Sequence, residues 1–154
     1  MESPRDSTRA VRLREEVIVA ASIERVWSAL VDLHAYAAWN PWLVRAEGEA
    51  RVGAIVWAEV ILGKKTMRAK HVVLVVDPMR RFCWRDAGWN ALFVYAHRDR
   101  TLERLVDGRV RLRQELILDG PLKGIALAMY GDALRAGLAA ETVALAKLVA
   151  TRDA

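Results

Sequence analysis

The sequence predicts an α+β domain. Its parts are a curved antiparallel sheet of six to seven strands, two short helices after the first strand, and one long C-terminal helix packed in the concave face. Three observations predict it. Residues 11–19 alternate apolar with polar and run into a capped helical pattern. Between residues 43 and 118, strand-like runs are separated by short turn signals. From residue 122 to about 151 there is no proline, alanine is abundant and the period becomes helical.

In the first strand, Val11, Leu13, Val17 and Val19 share one face, and Arg12, Arg14 and Glu16 the other. Glu15 interrupts the apolar face. Ser22 is placed to cap a helix with Glu24 in its first turn. Ile23, Val26, Trp27, Leu30, Val31 and His34 then follow helical spacing, and His34 suits a helix C-terminus. Residues 32–38 form a second short helix or turn, which Pro41 closes because a residue before proline avoids the helical region.

Strand-like runs follow at 43–47, 54–62, 66–76, 81–85, 91–103 and 109–118. The turns between them are short, and short turns join antiparallel neighbours because parallel strands need long crossovers. Val110, Leu112, Leu116 and Leu118 alternate with Arg111, Arg113 and Glu115, and Gln114 falls on the inward parity. In the last third, Leu127, Leu134, Leu138, Leu145 and Leu148 draw a stripe along one helix, with Met129 and Tyr130 near its middle. A sheet of six or seven twisted strands curls. A helix laid in its concave side leaves a cavity unless large side chains fill it, and that cavity makes a ligand site the leading expectation.

The chain of 154 residues is one domain, expected over 11–151, after a mobile polar tail at 1–10. It is 54% hydrophobic and 28% charged, which excludes disordered and fibrous classes. The lone Cys83 excludes an internal disulfide and a multi-cysteine zinc site. No apolar run reaches the length of about 18 residues that a membrane-spanning helix needs. The first ten residues lack the apolar core of a signal peptide, so a soluble cytoplasmic protein without integral membrane association is expected. The net charge of +5 raises nucleic acid as a partner. Yet Glu16, Asp99, Glu103 and Glu115 interleave with the strand arginines, and no aromatic RNA-binding platform is present. A solvated mixed face is the better reading, with no nucleic-acid partner and a homodimer left open.

Four segments resemble a known family. Residues 17–27, VIVAASIERVW, are similar to its opening strand, turn and helix. Residues 32–42 end in the Trp-Asn-Pro-Trp segment, and Val76-Asp77-Pro78 with Arg81-Phe82-Cys83-Trp84 is similar to its hairpin. Asp107-Gly108, an alternating strand and Gly120-Pro121-Leu122 before a long helix are similar to its end. In order and spacing they resemble the START-like (SRPBCC) superfamily, polyketide cyclase/dehydrase and lipid-transport type, over about residues 13–150. The resemblance implies the helix-grip fold and a shared pocket, with no shared set of catalytic residues and no cofactor. In relatives, the strand before the Asp-Gly turn carries His-x-Phe-x-Leu on one parity; here those positions are Arg98, Arg100 and Leu102. Two arginines then stand near the cavity or its rim, unless a one-residue bulge sends both to solvent.

The expected ligand is a hydrophobic or aromatic small molecule such as a lipid, quinone or polyketide, held by a carrier or sensor. A cyclase or dehydratase acting in the same cavity is the enzyme alternative, and a co-chaperone-like interaction module the second. The expected ligand-binding residues are Trp57, Met67, Ala69, His71, Trp84, Trp89, Arg98, Arg100, Gln114, Met129 and Tyr130. His71, on the parity of Met67, Ala69, Val73 and Val75, is the acid/base of an enzyme or a satisfied interior histidine. His97 reads as solvated. Glu15 and Glu59 share parity with apolar strand residues and are either arginine partners at a polar floor or surface acids. Trp27, Trp39 and Trp42 match positions that pack the short helices over the sheet, whereas Trp57, Trp84 and Trp89 are placed to line or rim a pocket. No nucleophile elbow, phosphate loop or metal-binding histidine pair is present, and Cys83 has no histidine beside it in sequence.

Overall fold

The computed structural model describes residues 10–88 and 94–151. Its strands are β1 (Val11–Val19), β2 (Leu43–Glu47), β3 (Ile55–Leu62), β4 (Lys65–Asp77), β5 (Arg81–Asp86), β6 (Tyr95–Arg104) and β7 (Val110–Asp119). They form one antiparallel sheet in the order β1-β7-β6-β5-β4-β3-β2. Sequential strands from β2 to β7 are neighbours because each is joined to the next by a turn or short loop. The first strand closes the far edge against β7.

Between β1 and β2 lie α1 (Ile23–Val31), a 3-10 turn (Leu33–Ala35) and α2 (Tyr36–Trp39). The expected cap is present: the Ser22 hydroxyl accepts from the Arg25 N–H at 3.2 Å. Asn40 ends the segment, its Oδ1 accepting from the N–H groups of Trp42 and Leu43 at 3.0 and 2.9 Å. The Trp-Asn-Pro-Trp sequence is thus a side-chain-closed turn that feeds straight into β2.

The C-terminal helix, α3 (Lys123–Thr151), lies across the concave face and packs on β1, β3 and β7. Leu138, Glu141, Thr142, Leu145 and Val149 are buried at helical spacing. Gly137 permits the approach of Trp42: a Cβ there would lie 2.4 Å from the indole ring. Trp42 is therefore a sheet-to-helix wedge as well as part of the short-helix turn.

One half of the grip is filled. Val26, Leu30, Leu112, Leu145 and Val149 belong to a solid apolar cluster under α1. In the other half the sheet carries Ala69 and Ala96, whose small side chains leave room beneath the helix. A bulge in β4 opposite β5, between Val73 and Val75, reverses the parity there. Val75 leaves the face expected for it and pairs with Cys83, while Val76 pairs with the inward Phe82.

The outer face holds the surplus arginines. Arg111 and Arg113 both reach Glu16, at 3.0 and 3.3 Å, and Arg111 also reaches Glu103 at 2.9 Å. Arg81 makes a two-toothed pair with Asp99 at 2.9 and 2.8 Å. Cross-strand pairing of this kind makes the basic strands a neutralised surface in place of a single positive field. No helix among the described residues is long and apolar enough to cross a membrane.

Candidate functional site

The other half of the grip, although built on its own buried apolar cluster, contains a cavity of about 110 Å³. Its sheet wall includes Val60, Met67, Ala69, His71, Trp84, Ala96 and Arg98, and its helix wall is Leu134. Trp42 and Leu43 close one side. Met67 is 43% exposed and stands at the mouth. The lining is mostly apolar, with polar groups confined to His71, Asp86 and Arg98, the usual make-up of a small-molecule site.

Antiparallel register sets the polar groups. His71 pairs across strands with Asp86, and Trp84 with Arg98. His71 Nε2 lies 3.3 Å from Asp86 Oδ1, and its ring stacks on Trp84 with centroids 5.0 Å apart. The buried Nδ1 has no partner among the described residues. The imidazole is thus anchored through one nitrogen and unpartnered at the other.

Both Arg98 and Arg100 point inward and are buried. Arg98 Nη2 donates to Glu141 Oε2 and, at 2.6 Å, to Gln114 Oε1. Asn40 Nδ2 donates to the other Glu141 oxygen at 2.6 Å. Gln114 Nε2 donates to the Thr142 hydroxyl at 2.7 Å, which donates to the Leu138 carbonyl at 2.8 Å. This chain ties β6, β7, α3 and the Asn40 turn together in an environment with no solvent competition. Burial alone would raise the Glu141 carboxyl. Arg98 first, then Arg100, with the bonds from Arg98 and Asn40, hold it below the usual carboxylate range.

Arg100 is 1% exposed and has no acceptor among the described residues; it lies 4.0 Å over the Trp84 ring and 5.0 Å over Phe82. Burial, then the neighbouring Arg98, push its pKa down to about 10, so it is still a cation at neutral pH. Tyr36, also buried, donates to the Leu30 carbonyl, and burial raises its phenol to about 12.

Several expectations are corrected. Trp57 does not line the cavity: its parity with Ile55 and Glu59 faces the outer surface, where it is 37% exposed and Arg68 stacks 4.3 Å over it. Met129 is 66% exposed, and neither it nor Tyr130 lines the cavity, because α3 turns Leu134 and Leu138 to the sheet. Gln114 and Arg100 lie one rung deeper, paired across the strands; Gln114 supports Arg98 from behind the cavity wall through its hydrogen bond, and Arg100 stacks on Trp84. Trp89 lies outside the described residues. Glu15 and Glu59 are not the arginine partners. Gln114 stands between Glu15 and Arg100, a gap of two strand spacings, and Glu59 is on the outer parity. The partner is Glu141, whose sequence signal was its place on the apolar stripe between Leu138 and Leu145. Asp86, Trp42 and several apolar residues, Leu134 and Ala96 among them, line the cavity and were passed over by sequence patterning. His97 is buried, not solvated, and burial lowers its pKa. Cys83 is fully buried on the opposite side of β5 from Trp84, and burial raises its thiol to about 12.

The family model for polyketide cyclase / dehydrase and lipid transport proteins matches residues 10–150. The chain belongs to this family. No curated protein matches its sequence. Among solved structures, the family member resembles the Zhui aromatase/cyclase from Streptomyces sp. R1128 with a TM-score of 0.81. That pair is 18% identical, and the alignment covers 95% of this chain and 97% of the other. A norcoclaurine synthase from Thalictrum flavum matches at a TM-score of 0.72 and 18% identity, over 97% and 100% of the two chains. A START superfamily protein from Mycobacterium smegmatis matches at 0.60 and 20%, over 81% and 94%. At these identities the likeness is one of fold, the helix-grip α+β architecture.

Proposed function

We propose that this family member reversibly binds a hydrophobic or aromatic small molecule in the cavity between sheet and helix, as a carrier or sensor. The observation that carries the reading is a gap in the packing: solid packing under α1, and an apolar space beside Ala69, Ala96 and Leu134 at the other end. Burial of apolar ligand area supplies about 25 cal/mol per Å² before ordering costs. His71 and Arg98 orient the polar end. A dry void of about 150 Å³ takes benzene. The present cavity, at about 110 Å³, is smaller and holds at most one ring or a short chain, so a longer lipid or quinone needs the mouth at Met67 to widen.

The test combines native mass spectrometry of the freshly purified protein with Ala69→Phe. A co-purifying small molecule, lost in the Ala69→Phe protein, is the expected result. A ligand that binds the variant with unchanged affinity removes this cavity as its site.

The His71–Asp86 pair favours a second reading, an enzyme of the cyclase/dehydratase kind. Asp86 holds one imidazole nitrogen, and the other is free to take a proton from a carbon next to a carbonyl. Arg98 would receive the negative charge that develops on the carbonyl oxygen. On this reading His71→Ala abolishes turnover of an aryl-ketone substrate while its affinity survives. An unaltered rate takes His71 out of the chemistry.

A further inference from the structure

Beside Arg98 and Arg100 the interior carries more positive charge than the facing carboxylate neutralises; Asp86, the carboxylate of the cavity lining, is engaged by His71. Arg98 and Arg100 are both buried, and Glu141 is the carboxylate that faces them. Both Glu141 oxygens are already used, one by Arg98 and one by Asn40. Arg98 Nε and Nη1 have no acceptor among the described residues, and neither has any guanidinium nitrogen of Arg100. The Trp84 indole N–H is likewise buried without an acceptor. These unmet groups are donors, and guanidinium cannot turn acceptor. Buried donors without partners are rare in native interiors and point to a missing acceptor. Of the two arginines, Arg98 lines the cavity, with Trp84 beside it on the neighbouring strand. Arg100 sits one rung further in and adds its charge to the field at that wall.

A neutral acceptor would satisfy a hydrogen bond but leave the charge surplus. An anion meets both. Nη2, which shares the Nε edge of the guanidinium, is already bonded, so Arg98 offers Nε and Nη1 as two separate donors to an oxyanion. Resting on the proposal that the cavity is a ligand site, we infer that its ligand is a small apolar carboxylate. The oxyanion sits at Arg98, and the apolar body lies against Ala69, Ala96 and Leu134. Glu141 then acts as a counter-charge that fixes Arg98 and caps the affinity for anions. Asn40 and Gln114 are positioning residues for the same guanidinium.

The test uses the full chain, with labelled methyl groups of Met67 and Ala69 read by NMR as reporters on the cavity wall. Phenylacetate, phenylacetamide, phenethylamine and toluene are titrated at pH 7, with hexanoate and hexanamide in parallel to separate ring from chain. At least one acid is expected to bind ten times or more tighter than its amide, with no binding of phenethylamine. Glu141→Gln keeps the shape and removes the counter-charge, so the acid-to-amide ratio should rise about tenfold. Arg98→Met should bring the ratio to about one. Because Arg98→Met leaves Glu141 unpaired and can unfold the domain, the ratio is also read in Arg98→Met/Glu141→Leu, where apolar groups replace the pair. Acid and amide of equal affinity, or a ratio unmoved by loss of Arg98, overturn the proposal. If toluene moves the methyl signals and neither acid does, the acid proposal fails and the cavity remains a ligand site. If no probe moves them, both fail.

Discussion

Arg98 of β6 and Glu141 of α3 meet in an ion pair closed to solvent at both ends. The pair bridges sheet and helix at the point where the packed half of the grip gives way to the cavity. Its desolvation cost is offset by the neighbouring bonds from Asn40 and Gln114, so the arrangement holds only while complete. Removal of one partner leaves a buried charge alone. Glu141→Ala is expected to destabilise the fold by about 3–5 kcal/mol, the range for broken buried pairs. Arg98→Met/Glu141→Leu should recover most of that loss. Urea unfolding of the proteins checks both, and a Glu141→Ala protein as stable as wild type would show that the pair contributes nothing.

Acid should destabilise the domain in two stages. Burial lowers the His97 pKa below 6.5, so the unfolded chain takes up a proton there before the native one does. Stability therefore falls as pH drops from about 6.5 towards the lower native value. Glu141 is also held below its ordinary value, 4.5, so its contribution is complete above that pH and lost as pH falls further. His97→Gln should flatten the first stage, and Glu141→Gln the second. Thermal melts across pH 3–8 (a range of roughly this width covers both groups) would expose a wild-type curve with neither stage.

Much of this architecture was legible in the residues, and what was not has physical causes. Alternation located β1 and β7, each wet on one face, turn signals bounded the strands between them, and the capped run at Ser22 located α1. The inward direction of Arg98 and Arg100 hung on register, since a single bulge would have reversed it; the bulge lies in β4 and leaves β6 regular. Parity alone could not tell the inner from the outer face for Trp57, whose strand is apolar on both sides. Glu141 and Asp86 were hidden for another reason. Their partners are 43 and 15 residues away in sequence, brought close only by the helix crossing and the β4–β5 register.

Cys83 should be inert in the native protein. It is buried between Phe82 and Trp84 in sequence but on the opposite side of β5, beside Asp99. Burial, reinforced by the Asp99 carboxylate, raises its thiol to about 12, and the thiolate is the reactive form. A thiol reagent such as an aromatic disulfide should leave it unmodified at pH 8 and label it on unfolding in guanidinium. Rapid labelling of the folded chain would place Cys83 at a solvent-reachable site.

The two mid-helix glycines of α3 should respond to alanine in opposite directions. Either substitution gains up to about 1 kcal/mol of helix propensity. At Gly131 the added methyl would meet chiefly the end of the Arg135 side chain at 3.1 Å, which can swing away, so the gain survives. At Gly137 it would stand 2.4 to 2.5 Å from three atoms of the Trp42 ring. Trp42 is held by the Asn40 turn on one side and packed over Arg98 at 4.8 Å on the other, so it cannot yield cheaply. Overpacking of this kind costs about 1–3 kcal/mol, which outweighs the propensity gain. Gly131→Ala is expected to raise the midpoint of urea unfolding, and Gly137→Ala to lower it. Because Trp42 also walls the cavity, the Gly137→Ala protein should bind apolar probes differently from wild type, whereas Gly131→Ala should not. A Gly137→Ala chain as stable as the Gly131→Ala chain would mean that α3 does not seat on Trp42 as described.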